Sequence, residues 1–130
     1  MAYYSLVASS ALFLVPTVYG FYRGHRMLPT ASCITTIASV VYWLDPQCSE
    51  KRILDLIVSK SSGVLYFVYG WKYIESPSSR MYGYMNMVGI LTTYQTACLL
   101  YPSPYWIPCH MIFHYMGVLG QFMVIHSTPS

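Results

Sequence analysis

The sequence predicts an all-α fold, a polytopic transmembrane helical bundle of about five spans joined by short loops. Two observations predict it. Of 130 residues, 55% are hydrophobic and only 8% are charged, whereas an ordinary soluble domain carries about 25% charge. The 7 Lys and Arg and 4 Asp and Glu are too few to keep the surface of a globule this size in water. The apolar residues also come in long blocks with short polar breaks, and a helix that crosses a bilayer needs about 20 such residues. Residues 1–130 read as a single integral membrane domain without repeats or low-complexity segments.

The first span covers about Tyr4 to Tyr22, with Pro16 expected as a kink, and Arg23-Gly-His-Arg26 ends it. The second runs about Met27 to Leu44. Pro29 suits its first turn, where a missing N–H costs nothing, and Tyr42 and Trp43 mark its far end, where aromatic belts form. This span is short and rich in Ser and Thr; a re-entrant course there would reduce the count to four. Asp45 to Arg52 is the clearest loop. The third span runs about Ile53 to Ile74 and the turn-forming Glu75-Ser-Pro-Ser-Ser-Arg80 follows. The fourth covers about Met81 to Tyr101. A proline-rich aromatic segment, Pro102 to Pro108, is expected at headgroup level, and the fifth span takes residues 106–126.

Charge and cysteine placement narrow the setting. The net charge of +3 is scattered, with no basic run and no glycine-rich phosphate loop, so nucleic acid is not expected as a partner. No Lys or Arg precedes Arg23, unlike a secretory signal or a transit peptide, so the first block is expected to be retained as a helix. With five spans, Arg23, Arg26, Lys72 and Arg80 share one side and Lys51 and Arg52 the other. That bias puts the C-terminus on the cytoplasmic or matrix side and the N-terminus outside; the host membrane is open, the mitochondrial inner membrane being one guess. Cys33, Cys98 and Cys109 lie in or beside apolar blocks and are expected as small buried hydrophobes, while Cys48 sits in a loop.

Within the spans, polar and small residues recur at intervals of three and four, which keeps them on one helix face. The third span has Asp55, Ser59, Ser62, Tyr66 and Tyr73. The fifth has His110, His114, Gly117 and Gln121; the second has Ser32, Thr36, Ser39 and Trp43; the fourth has Asn86, Gly89 and Thr93. Lipid tails offer no hydrogen-bond partners, so such faces turn toward protein, either as the seams of the bundle or as the lining of a substrate path. Lys60, about 10 Å into its span at about 1.5 Å per residue, and Asp55, one turn nearer the surface, are either interfacial or functional charges.

His110 and His114 are the sharpest chemical feature. At i and i+4, two imidazoles leave one helix face about 6 Å apart and can chelate a metal, although a catalytic zinc usually takes three protein ligands. Met111 follows His110, so the glutamate-bearing soluble metalloprotease motif is absent. Hydrogen-bonded bundle histidines are the other reading.

Three windows of the chain resemble the superfamily of alkaline ceramidases, hemolysin III proteins and progestin/adipoQ receptors. That family carries Ser-x-x-x-His on an early span, an Asp at the start of the next and His-x-x-x-His on the last. Ser39-Val-Val-Tyr-Trp43 is similar to the first motif, Ser59-Lys-Ser-Ser-Gly-Val64 to the stretch after the Asp, and His110-Met-Ile-Phe-His114 to the last. The resemblance implies a zinc-dependent lipid amidase, with His110 and His114 as ligands and Asp55 nearby. Trp43 stands where the first zinc histidine belongs and Lys60, 17 residues on, about where the Asp belongs; Asp55 is off that register and the chain is two spans short of seven. The resemblance thus implies a zinc site that lacks one ligand.

The function expected from the sequence is that of a non-catalytic accessory or scaffolding subunit of a larger membrane complex, such as an organellar energy-converting one. The short loops, 14 Tyr and 8 Met suit packing on other subunits and on lipid. Bound lipids are expected, and zinc only in the hydrolase alternative. The other alternative is a small oligomeric transporter or channel with Lys60 and Asp55 in its path.

Overall fold

The computed structural model describes residues 3–46 and 49–129. Among them all regular structure is helical: α1 (Tyr4–Ala11), α2 (Leu14–Tyr22), α3 (Met27–Leu44), α4 (Ser49–Tyr73), α5 (Pro77–Leu100) and α6 (Trp106–Ser127). The first two are halves of one broken rod, Tyr4–Tyr22, so five rods alternate in direction.

The break falls at Leu12 and Phe13, one turn before Pro16. A proline cannot donate to the carbonyl four residues back, and its ring presses on that carbonyl. The chain tightens there into three-residue turns, Leu12 N–H to the Ser9 carbonyl, Phe13 N–H to Ser10 and Val15 N–H to Leu12. The kink expected at Pro16 is expressed at its missing partner.

Two helices begin earlier than the sequence indicated. Ser49 to Arg52, read as loop, forms the first turn of α4, with Glu50 at the positive end of the helix dipole. Ser78 to Arg80, also read as loop, belongs to α5: Ser76 caps it, Oγ accepting from the Ser79 N–H at 3.4 Å, and Pro77 takes the first position. Cys48 lies outside the described residues. Cys33, Cys98 and Cys109 are free thiols; Cys33 and Cys109 are half-buried and Cys98 is exposed, which corrects the expectation of a small buried hydrophobe at Cys98.

Burial runs opposite to that of a water-soluble protein. Val18, Val64 and Val88 are more than 60% exposed, while Ser10 and Ser32 are fully buried and Ser39 is 3% exposed. Many aliphatic side chains face outward while hydroxyls of α1, α3 and α4 face inward, as expected where the surroundings cannot hydrogen-bond. Three helices, Tyr4–Tyr22, Met27–Leu44 and Ser49–Tyr73, are long and apolar enough to cross a membrane, which is compatible with an integral membrane location. Helices α5 and α6, of 24 and 22 residues, match them in length.

Aromatic side chains gather at both ends of the bundle. At one end Tyr3 packs edge-on against Trp43 and Trp106 at 5.9 and 5.4 Å between ring centres, and Tyr101 joins Trp106. At the other, Tyr19 stacks on Phe122 at 4.4 Å and Tyr69 lies against Tyr73. A buried apolar cluster, Leu28, Tyr66, Ile74, Val124 and Ile125, sits near this second end. There Gly20 lets α2 approach α3 and α6 closely, since a Cβ on it would lie 2.8 Å from the Pro29 ring and 3.1 Å from Ile125.

Candidate functional site

The polar stripes of α3, α4 and α6 meet one another. Ser32 Oγ donates to Gln121 Oε1 at 2.7 Å and lies 2.5 Å from the Tyr66 hydroxyl, which reaches the Leu28 carbonyl at 2.9 Å. One layer on, the Thr35 and Ser62 hydroxyls are 2.7 Å apart; Thr36, the residue expected in the stripe, bonds instead to the Ser32 carbonyl of its own helix. Hydrogen bonds between membrane helices contribute about 0.6 kcal/mol each on average, up to about 1.7. The stripes therefore form the seams of the bundle.

Helix α5 is held differently. Thr92, Thr93 and Thr96 bond to carbonyls one turn back on their own helix. Asn86 crosses to α6, its Nδ2 donating to the Met116 carbonyl at 3.1 Å. Arg80 ties the start of α5 to the end of α4 through the Ile74 and Trp71 carbonyls at 2.6 and 2.7 Å, and beyond that clasp α4 and α5 diverge.

The divergence leaves a cleft of about 680 Å³ between α4, α5 and α6. Its walls are mostly apolar, among them Leu56, Phe67, Ile90 and Met123. Toward the end near Trp43 they turn polar: Ser39, Asp55, Ser59, Tyr94, His110 and His114 all line it. Buried Asp55 accepts from Ser39 at 2.5 Å and from Ser59 at 3.2 Å, both on Oδ1. No cation reaches it, the described residues holding one ion pair, Lys51 with Asp45.

His110 and His114 stack edge to face with ring centres 4.7 Å apart. His114 Nδ1 lies 2.7 Å from Ser9 Oγ, which is also 3.1 Å from the Leu6 carbonyl. The single hydroxyl proton of Ser9 has two acceptors in reach, the Leu6 carbonyl and His114 Nδ1, and in either arrangement the contact fixes the His114 ring. Trp43 packs against His110 at 5.2 Å.

The windows singled out in the sequence thus meet: Ser39 and Ser59 share Asp55, which lies outside them, and Trp43 packs on His110. Lys60 lies on the same cleft with an exposed side chain. A three-histidine zinc centre does not fit these residues. Among the described residues no third His, Cys, Asp or Glu joins His110 and His114 in a group that could hold a metal ion. Trp43, in the third position, offers an indole N–H and no lone pair. His25 and His126 are far away at the other end, His25 buried there and His126 bonded to the Tyr19 hydroxyl at 2.8 Å.

Sequence reading missed Ser9, which fixes the His114 ring. Its only signal was a serine pair, Ser9-Ser10, in an apolar block. The cleft itself has no signal in any one segment, because it arises where two helices fail to pair. Comparison with protein-family models, with curated proteins and with solved structures found no match to this chain.

Proposed function

We propose that this chain is a five-span integral membrane protein that holds a lipid amphiphile in the cleft between α4, α5 and α6. The head lies at the Ser39–Asp55–Ser59 and His110/His114 end and the tail along the apolar walls. The observation that carries this reading is the gathering of polar groups at one end of an otherwise apolar cleft, between two helices that do not close on each other. Its volume falls within the range of about 300–1,000 Å³ typical of small-ligand sites. The carboxylate, hydroxyls and imidazoles give acceptors and donors for the polar groups of the head. The lipid-binding reading follows the resemblance of the three windows to the ceramidase-type superfamily. Hydrolysis is not part of the proposal, since two histidines do not complete its zinc centre. In this reading the end bearing Arg23, Arg26, Lys72 and Arg80 faces the cytoplasm or matrix.

The test is extraction of lipid from protein purified in mild detergent, with Gly63→Leu as the control that fills the cleft. A Cβ at Gly63 meets nothing within 4 Å, so the variant should fold. Near-stoichiometric amphiphile in the wild type and its loss in the variant is the expected result. Equal lipid content in both sinks the reading.

The continuous apolar exterior and short loops favour a second role for the same molecule, as an accessory subunit of a larger membrane complex. Native electrophoresis of mildly solubilised membranes should then place the chain in a band far above its own 14.8 kDa; migration as a free monomer would count against this role.

A further inference from the structure

We infer that the cleft selects an anionic single-chain amphiphile, whose carboxylate or phosphate sits on Lys60. The inference rests on the lipid-binding reading above and adds the charge of the ligand. Lys60 borders both the cleft and a shallow groove outside α4 formed with Ser61, Val64, Leu65 and Val68, so its ammonium stands at the cleft's rim. No described residue pairs with it: the ion pair present joins Lys51 to Asp45, and no hydrogen bond involves Lys60. Arg80, the other cation on the cleft, is held by the Ile74 and Trp71 carbonyls.

Lys60 lies eight residues past Arg52, about 12 Å along the helix axis. A cation without a counter-charge inside a membrane is disfavoured, so the site favours an occupant that brings the opposite charge. Asp55 does not supply it. It lies five residues back, about 7.5 Å along the axis, and its carboxylate is engaged by two serines. From Lys60 to Ile74 the cleft face of α4 is small or apolar apart from the buried Tyr66 hydroxyl, with Gly63, Val64, Phe67, Gly70 and Trp71. That run, about 21 Å from Lys60 to Ile74, suits one acyl tail. The cleft's 680 Å³ lies within the range of a single small-ligand site, about 300–1,000 Å³.

The full chain in detergent is titrated with oleate, oleoyl lysophosphatidate and oleyl alcohol, and bound ligand is counted by native mass spectrometry. Wild type should bind one or both anions about tenfold more tightly than the alcohol, a ratio that one charge contact accounts for, and the arm that binds identifies carboxylate or phosphate. Lys60→Gln should erase that preference while still binding the alcohol, and Lys60→Arg should keep it. Binding of all three ligands with equal affinity in wild type overturns the charge assignment and leaves the lipid reading intact. Failure of all three to bind, with Gly63→Leu indistinguishable from wild type, overturns both. A second polypeptide crosslinked through position 60 in native membranes, with the cleft empty of lipid, would assign Lys60 to a partner's carboxylate and overturn the inference.

Discussion

The two sides of this bundle follow different rules. Side-chain pairs join α1 to α6, α3 to α4 and α3 to α6: Ser9 with His114, Ser32 with Tyr66 and Gln121, Thr35 with Ser62. Helix α5 also carries hydroxyls, but Thr92, Thr93 and Thr96 bond only to their own backbone, and no side-chain bond joins its middle to α4 among the described residues. In lipid no hydrophobic force pulls two apolar helices together, so association depends on packing and on bonds that cross between them. Where hydroxyls face hydroxyls the helices close. Between α4 and α5, where among the described residues no side-chain bond crosses beyond the Arg80 clasp, a cleft opens, and the polar residues around it are left for a ligand.

Glycine substitutions break this comparison most sharply. Gly20→Leu, on the closed side, must displace the Pro29 ring and Ile125 and should cost about 3 kcal/mol, read as a lowered unfolding midpoint in detergent. Gly63→Leu, on the open side, enters free space and should stay within about 0.5 kcal/mol of wild type. Equal costs would mean that the cleft is closed. Next in size is Gln121→Leu, which removes the acceptor of Ser32 and should cost about 1 kcal/mol in the same assay; no change would show that the seam does not hold α3 to α6. Smallest is Thr93→Val on α5, which gives up a bond within its own helix and should be neutral within about 0.5 kcal/mol. A large loss there would show that α5 makes seam contacts like the others.

Much of the frame was legible in the sequence. Apolar blocks gave the rods because lipid and helix geometry together demand such lengths, and Pro77 behind Ser76 marked a helix start that the charged and polar composition of residues 75–80 disguised as loop. Intervals of three and four placed Ser32, Tyr66, Gln121 and His114 on inward faces. Which stripe meets which was not legible, because that depends on the rotation of one helix against another. Thr35 rather than Thr36 meets Ser62 for that reason, and Ser39 finds Asp55 across 16 residues although the register with the resembling family pointed to Lys60.

The account as a whole requires that the outward faces lie in hydrocarbon. Labelling native membranes with a lipid-soluble carbene probe, followed by residue-level mass spectrometry, addresses this most directly. Label should accumulate on the outward Val18, Ile37, Ile57 and Val88, reach Phe67 through the cleft, and spare Ser32 and Ser62. Strong labelling of those four valine and isoleucine positions by a water-soluble probe, with none from the lipid phase, would contradict it.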